Sequence, residues 1–403
     1  MSGRRKLPAA DAALDILALN SGSSSLKFGL FRREGRSLVT IAAGAIEAIG
    51  DASRSRFHAV DQRGRTLVDE ACKAATPLDA IVRIARLLAD AGLPVPTAIG
   101  HRVVHGGDSL SRPVRIDAEA LHAIEVAAVL APLHGPATVE IIRHTMALFP
   151  GHLQVACFDT GFHATLGEVA RRLPLTRPLH AAGLRRYGFH GLSCESVLRQ
   201  IGPPTEASLP ARIVIAHLGQ GSSVTAVRSG RSIDTSMGLT PGGGLLMGTR
   251  SGDLDPGVLL HLLRDPSWTR ERLEALVDRE SGLLGISGVS GDLRQLHAVA
   301  AVNADARLAI TMFCTAVAKQ VAAMITVLDG IDLLIFTGGV GEHDAAVRSA
   351  ICARLAWFGI AVYPRRNAEA VNPLSAAGSR CRVMVLPSQE ALQIARHTVA
   401  LLA

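Results

Sequence analysis

The chain has 403 residues, 48% of them hydrophobic and 19% charged, with a formal charge of +7 and an isoelectric point near 9.5. That is enough apolar material for two or three buried cores, which excludes a disordered chain. Aromatic residues make up only 3% and arginine is scattered, which argues against a nucleic-acid surface and leaves small anions as the partners that fit.

Two large domains are expected from the length. Six cysteines (Cys72, Cys157, Cys194, Cys314, Cys352 and Cys381) form no CxxC pair and read as reduced thiols, several of them inside apolar runs. The opening MSGRRKLPAADAAL has no continuous apolar region, and the most apolar helical stretch, Ala306 to Leu328, is interrupted by Arg307 and Lys319. Neither secretion nor a membrane span is expected, and a cytoplasmic location follows.

After a polar tail to about Asp15, the run Ile16 to Phe31 (ILALNSGSSSLKFGLF) predicts a β-hairpin with a hydroxyl-rich tip. The same design returns at Ile213 to Val227 (IVIAHLGQGSSVTAV), and a constant offset of 197 residues aligns Asn20 with His217, Gly22 with Gly219 and Ser25 with Ser222. So long an offset is not a solenoid period and points to two related domains. Short apolar runs at Ala98 to Val104, Leu153 to Phe158, Leu333 to Phe336 and Val383 to Leu386 alternate with helical stretches, so the fold class is α/β. Ala306 to Leu328 predicts a helix packed on a sheet, and Ser388 to Ala403 a terminal helix with Ser388 as N-cap and Glu390 in its first turn. Gly238 to Gly257, Gly282 to Gly291 and Gly338 to Gly341 punctuate strand ends, where backbone N–H groups can approach a phosphate.

Several segments carry chemistry. Asn20-Ser21-Gly22-Ser23-Ser24-Ser25 with Lys27 gathers small side chains, N–H groups and a cation, as a polyphosphate site or a plain polar turn would; it lacks P-loop spacing. Arg102 lies on an apolar strand before Gly106-Gly107, which calls for a bound anion, held bidentately by the planar fork, or for a structural ion pair. Asp159 ends a buried strand, a position for a metal ligand, a base or a helix cap. His190 sits among cations and glycines, where a structural role is equally open. Asp234 to Pro256 (DTSMGLTPGGGLLMGTRSGDLDP) excludes regular structure over more than twenty positions, as functional loops do, and offers Arg250 as a second anion clamp. Phe336 to Glu342 contains a GGxG turn that specifies little by itself.

Taken in order, LNSGSSSLKF, GHRVVHGG, APLHGP, RRYGFHG, DTSMGLTP…MGTRSGDLDP, GISGVSGDLR and FTGGVGE closely resemble the acetate kinase family, which includes propionate and butyrate kinases and belongs to the sugar kinase, heat-shock chaperone and actin superfamily. The resemblance runs from about Ile16 to the C-terminus. It implies duplicated ribonuclease-H-like domains with a cleft between them: residues 14–160, completed by the terminal helix 388–403, and a nucleotide-binding domain, 161–387. It also implies a homodimer and reversible transfer of the ATP γ-phosphoryl group to acetate or propionate, with Mg2+ (or Mn2+).

Carried over by motif, Asn20 and Glu390 would hold the metal, and Ser23, Ser25 and Lys27 would face the phosphates. Arg102, Arg250, His190, His134 and Asp159 would form the catalytic set. His217, Leu218, Gly219, Gln220 and Gly221, Asp292, Leu293 and Arg294, and Gly339, Val340, Gly341, Glu342 and His343 would form the nucleotide pocket. Arg102, Val104, Leu133, Phe189 and Pro241 would bind the acid.

Some positions depart from the family pattern: Gly135 for Asn, Gln220 for Asn, His343 for Asn, Cys194 for His, Gly243 for an acidic residue and Ala391 for a second Glu. They put the periphery in question and leave the catalytic positions intact. The rivals are a butyrate or other short-chain acyl kinase, a sugar kinase and a non-catalytic actin- or chaperone-like module. The paired arginines disfavour the last two.

Overall fold

The computed structural model describes residues 14–22, 24–51, 53–202 and 209–402. The chain forms two compact units, one running to Gly161 and resuming at Gln389, the other spanning Phe162–Ser388.

The first unit is built on an eight-stranded sheet: β1 (Leu14–Ser21), β2 (Leu26–Glu34), β3 (Ser37–Glu47), β4 (Arg56–Asp61), β5 (Thr66–Ala71), β6 (Ala98–Val103), β7 (Val114–Arg115) and β8 (Leu153–Phe158). Its strand order is β5-β4-β3-β2-β1-β6-β8-β7. The second unit carries β9 (Arg212–Leu218), β10 (Ser222–Arg228), β11 (Arg231–Thr235), β12 (Leu333–Thr337) and β13 (Arg382–Val385), in the order β11-β10-β9-β12-β13.

Stripped of β4, β5 and β7, the first sheet has the order of the second. In each, two strands in antiparallel succession lead to a central strand, β1 or β9, and two strands parallel to it lie beyond: β6 and β8 in one, β12 and β13 in the other. This is the ribonuclease-H-like sheet, present twice. The central strands carry continuous apolar runs, Ile16–Leu19 in β1 and Ile213–Ala216 in β9, because both faces are covered. β1 and β12 are buried along their whole length.

Alternation assigns the two faces of the second sheet. Val214, Ala216, Leu334 and Phe336 pack with Phe313, Val317 and Val321 of the helix Ala304–Leu328. Their neighbours Ile213, Ile215, Leu333 and Ile335 pack with Cys194, Val197 and Leu198 of the helix Gly191–Ile201. The long helix is apolar enough by length and composition to cross a membrane, yet Ala306, Ala309, Phe313, Val317, Val321, Met324 and Leu328 are buried in this core. In the first unit Leu17, Leu19, Phe28 and Leu30 pack against Ile81, Ile84 and Leu88 of the helix Pro77–Asp90. All six cysteines are buried and free, and burial pushes the Cys352 thiol up to about 12, which leaves it inert.

Three expectations need correction. The predicted repeat aligns Ser25 with Ser222, but Ser21 pairs with Leu26 whereas Leu218 pairs with Ser222. The second hairpin tip is therefore one residue shorter, and the constant offset holds for the incoming strand only; a one-residue slip reverses every outgoing side chain. Second, the terminal helix is Glu390–Ala400 with Gln389 in the cap position, and Ser388 does not cap it. Third, Gly338 to Gly341 and the start of Gly282 to Gly291 are not open turns but helical residues, in Gly338–His343 and Gly282–Ser287.

The terminal helix lies against β1 and β6 because Gly100 permits it. A Cβ at Gly100 would collide with Thr398 Oγ1 and would stand 2.6 Å from Ile394 Cγ2. Gly100→Ala is expected to lower stability by about 1–3 kcal/mol, the usual cost of overpacking, and a urea-unfolding midpoint equal to wild type would contradict this packing. Beside it, His101 is fully buried, its Nε2 at 2.6 Å from Gln154 Oε1. Burial lowers its pKa from 6.5 to about 4, against the opposing hydrogen bond to Gln154. Because the folded pKa lies below the unfolded one, His101 contributes full stability above pH 6.5 and loses it as the pH falls towards 4, by about 3 kcal/mol in all. Equilibrium unfolding of wild type and His101→Asn across that range should show a shallower acid slope in the variant.

Candidate active site

Parallel strands β1, β6 and β8 end at one edge of the first sheet, so the residues at their C-terminal ends are brought together. β1 contributes Asn20, β6 contributes Arg102, and Asp159 follows β8 directly. The first turn of the terminal helix adds Glu390.

These four side chains form one network. Arg102 Nη2 donates to Asp159 Oδ2 at 2.6 Å, and Nε donates to Oδ2 and Oδ1 at 3.0 and 3.2 Å. Arg102 Nη1 donates to Asn20 Oδ1 at 3.2 Å and to the Ser21 carbonyl at 3.3 Å. Asn20 Nδ2 in turn donates to Glu390 Oε2 at 2.7 Å. Of the two readings of Arg102 open from sequence, the ion pair is therefore realised: its bidentate carboxylate is Asp159. Four of the five guanidinium N–H groups are engaged by these bonds, and one on Nη2 remains for a ligand. Burial by itself would lower the Arg102 pKa, but the charges of Asp159 and Glu390 and the hydrogen bonds to Asp159 outweigh it and raise the pKa, so the cation is permanent.

Around the network, Ser21 Oγ and Thr138 Oγ1 share a hydrogen bond at 3.0 Å. The hairpin tip is closed by Gly22 N–H on the Ser25 carbonyl at 2.8 Å. Lys27 is exposed, paired across the hairpin with Asn20. Ser23 lies outside the described residues. Val104 is buried and lines a small apolar crevice with Val103, Ile124, Ala131 and Thr138, while Leu133 and His134 are half-buried at the start of the helix Gly135–Leu148. Gly135 is required on this backbone: a Cβ there would lie 2.5 Å from the Ala128 carbonyl oxygen and 2.7 Å from Ala128 Cβ.

In the second unit His190 opens the helix Gly191–Ile201 from the left-handed region, φ 58°, a strained conformation for a residue with a side chain. His163 holds it from the preceding residue. Its Nε2 donates to the Phe189 carbonyl at 2.8 Å and its Nδ1 meets Ser232 Oγ at 2.8 Å. Since a carbonyl can only accept, His163 is the neutral Nε2–H tautomer, and burial, partly countered by the Phe189 bond and the charge of Glu195, lowers its pKa to about 4.

His190 Nδ1 meets Ser223 Oγ at 3.0 Å, and its ring stacks on that of His217, centroids 4.1 Å apart and planes at 21°. Arg250 Nη1 donates to the Pro241 carbonyl at 3.2 Å, so the clamp and the predicted acyl-pocket proline are coupled. A Cβ on Gly221 would stand 3.3 Å from both Arg250 Nη1 and His190 Nε2. Two side-chain nitrogens thus approach the point where Gly221 lacks a side chain, with Arg250 Nη1 donating also to Met247 Sδ at 3.7 Å.

The long loop holding Arg250 is pinned to the following segment by backbone bonds: Leu283 N–H to Met247 O at 2.8 Å, Ser281 N–H to Thr249 O at 3.0 Å and Ser251 N–H to Val277 O at 2.9 Å. Gly282, at φ +63°, is needed there because a Cβ would lie 2.6 Å from the Arg250 carbonyl oxygen.

The predicted nucleotide segments are only partly gathered. Gly219 lies beside Gly339, whose N is 3.9 Å from a Cβ built on Gly219, and a Cβ on Gly248 would collide with Gln220 Oε1 and come within 3.0 Å of the Gly291 carbonyl, one residue before Asp292. Phe189, Leu218 and Leu293 are buried, the latter two in the main core, so Leu218 and Leu293 offer a ligand backbone only. Asp292 caps the helix Leu293–Val299 and pairs with exposed Arg294 at 2.7 Å, each serving the other. Val340 packs against the core, Gly341 is buried and His343 is exposed. Glu342 Oε1 accepts the backbone N–H groups of Gly338 and Ser388 at 3.0 and 2.8 Å. Ser193, Ser223, Ser232 and His163 were missed from sequence; only the hydroxyl-rich GSSV run hinted at Ser223.

A sequence profile of the Acetokinase family matches residues 15–396. The acetate kinase of Ectopseudomonas mendocina is 42% identical over 401 residues, covering 97% of this chain and 100% of that protein. That of Nitrobacter hamburgensis is 39% identical over 395 residues, covering 96% of each. Among solved structures, a propionate kinase from Francisella tularensis superposes with a TM-score of 0.88 at 36% identity, over 96% of this chain and 99% of that one. An acetate kinase from Porphyromonas gingivalis gives 0.83 at 34% identity, over 97% and 100%. With a match along nearly its whole length, the chain belongs to the acetokinase family.

Proposed function

We propose that the protein transfers the γ-phosphoryl group of ATP reversibly to acetate, and to propionate, giving an acyl phosphate and ADP. The observation that carries this reading is the convergence of Arg250 Nη1 and His190 Nε2 on the space beside Gly221. A transferring phosphoryl group spreads its charge over three oxygens, and a guanidinium and an imidazole brought to one point would stabilise it there.

The acceptor needs no strong base. A carboxylic acid has a pKa of about 4.3, so it is ionised at neutral pH and already a nucleophile. The barrier lies in bringing two anions together. Arg102 meets that with a permanent charge and its remaining Nη2 proton, while Asp159, paired bidentately with Arg102, serves to hold the guanidinium rather than to take a proton. Val104, Leu133, Phe189 and Pro241 would pack the short alkyl group, and His134 would stand near the acid. Ser23, Ser25 and Lys27 would face the phosphates.

Asn20 and Glu390 fit Mg2+, or Mn2+, as hard oxygen ligands. They are few enough to leave positions for water and phosphate oxygens, and among the described residues no group of three or more His, Cys, Asp or Glu could make an all-protein cage. Such an ion, when bound, offsets charge on the β- and γ-phosphates. A cytoplasmic homodimer completes the reading, on the family resemblance.

With ATP-Mg and hydroxylamine as trap, acetate and propionate should each yield hydroxamate, butyrate less, and glycerol none; silence with all three acids would overturn the proposal. Arg250→Ala should reduce kcat by at least about 10²-fold with an unchanged circular-dichroism spectrum. Near-normal turnover in that variant would remove Arg250 from the reaction.

A further inference from the structure

The crevice beside Val104, in the first unit, is bounded by Ile124, Ala128, Ala131, Gly135 and Thr138 and has a volume of about 10 Å³. That is room for one water-sized or methyl-sized group. The polar side chains on its wall are engaged elsewhere: Thr138 Oγ1 shares a hydrogen bond with Ser21 Oγ at 3.0 Å, and His105 Nδ1 accepts the Gly107 N–H at 2.9 Å. A buried water needs several polar partners, so an apolar methyl suits the space better.

The crevice owes its size to small residues where the 3₁₀ turn Ala128–Leu130 meets the helix Gly135–Leu148. A Cβ on Gly135 would lie 2.5 Å from the Ala128 carbonyl oxygen and 2.7 Å from Ala128 Cα and Cβ, so no larger residue fits this backbone. The connection between them is drawn tight. His134 and Gly135 N–H both donate to the Ala131 carbonyl, at 3.0 and 2.7 Å, and Ala131 N–H donates to the Ala128 carbonyl at 3.1 Å. On the strand side, a Cβ on Gly107 would stand 3.2 Å from Ala127 Cβ, which holds the turn after β6 against the end of the helix Ala118–Ala127. The walls are therefore backbone in close contact, and the space does not widen cheaply.

Its location relates it to the acid. Arg102 precedes Val103 and Val104 directly, and its Nη1 donates to the Ser21 carbonyl at 3.3 Å, the same Ser21 whose hydroxyl meets Thr138. We propose that the crevice receives the terminal carbon of an acid one methylene longer than acetate, which makes Ala128, Ala131 and Gly135 specificity-determining residues behind Val104. The inference rests on the proposed function. An acetate methyl stays against Val104, the added carbon of propionate fills the crevice, and the next carbon of butyrate meets the closed junction of Ala128 with Gly135.

The test is kcat/KM for acetate, propionate and butyrate, by hydroxamate trapping, in wild type, Ala128→Val and Ile124→Val. Ratios taken within each enzyme cancel any loss of active protein. Ala128→Val, which fills the crevice, should lower the propionate-to-acetate ratio by about fourfold, the worth of one buried CH₂. Ile124→Val removes a methyl from the wall and should raise the butyrate-to-acetate ratio by a similar factor of about four. An unchanged propionate-to-acetate ratio in folded Ala128→Val would overturn the inference, and if that variant does not fold, an unchanged butyrate-to-acetate ratio in Ile124→Val does so. Wild type that makes acyl phosphate from none of the acids would refute the proposed function, and the inference with it.

Discussion

The first unit depends on one buried cation. Arg102 enters on an apolar strand with its side chain only 14% exposed, and an uncompensated guanidinium there would cost several kcal/mol. Asp159, itself fully buried, supplies the compensation, and the two strands that carry them are adjacent and parallel, in register from Ala98 with Leu153 to Val103 with Phe158. From that pair the constraints spread outward. Asn20 must present its amide oxygen to Arg102, which turns its amino group to Glu390, and Glu390 can be reached only because Gly100 lets the terminal helix settle on the sheet. The buried Arg102 charge is thus linked to the place where the terminal helix sits.

The second unit solves a different problem, that of holding two histidines and an arginine still without burying charge. Its devices are hydroxyls and glycines. His163 is kept neutral by burial and holds the backbone before His190, and serines meet the Nδ1 atoms of His190 and His217. The glycines at 221, 282 and 338 remove side chains where backbone or imidazole must come close. Asp278 adds a local electrostatic feature. It lies in the π-turn Leu276–Glu280, and desolvation raises its pKa against the lowering charge of Arg250. Gly242, in the loop that holds Arg250, leaves room for it, since a Cβ there would stand 3.1 Å from the Asp278 carboxylate.

Much of this was legible in the chain. The apolar runs that became β1, β6, β8, β9 and β12 are unambiguous because strands covered on both faces need no polar alternation, and the repeated hairpin announced the duplication. What escaped has physical causes. The one-residue difference between hairpin tips is invisible to an alignment that fixes only the incoming strands. Leu218 and Leu293 were expected in the nucleotide pocket, yet their side chains lie in the core, and a motif does not say which way a side chain points. Ser388 has the identity of a helix cap but is spent on Ser193, a partner 195 residues away that no local rule can find. Arg102 was undecidable between ion pair and ligand clamp because its partner Asp159 comes from a strand more than fifty residues away.

In the proposed reaction a phosphoryl group passes straight from nucleotide to carboxylate, and neither Asp159 nor His190 serves as a covalent carrier. A single in-line displacement inverts the configuration at phosphorus. The most direct measurement is the stereochemical course with ATP made chiral at the γ-phosphorus by oxygen isotopes and acetate as acceptor. Inversion in the acyl phosphate is the predicted result, and net retention, the mark of a phosphorylated enzyme intermediate on the path, would contradict it.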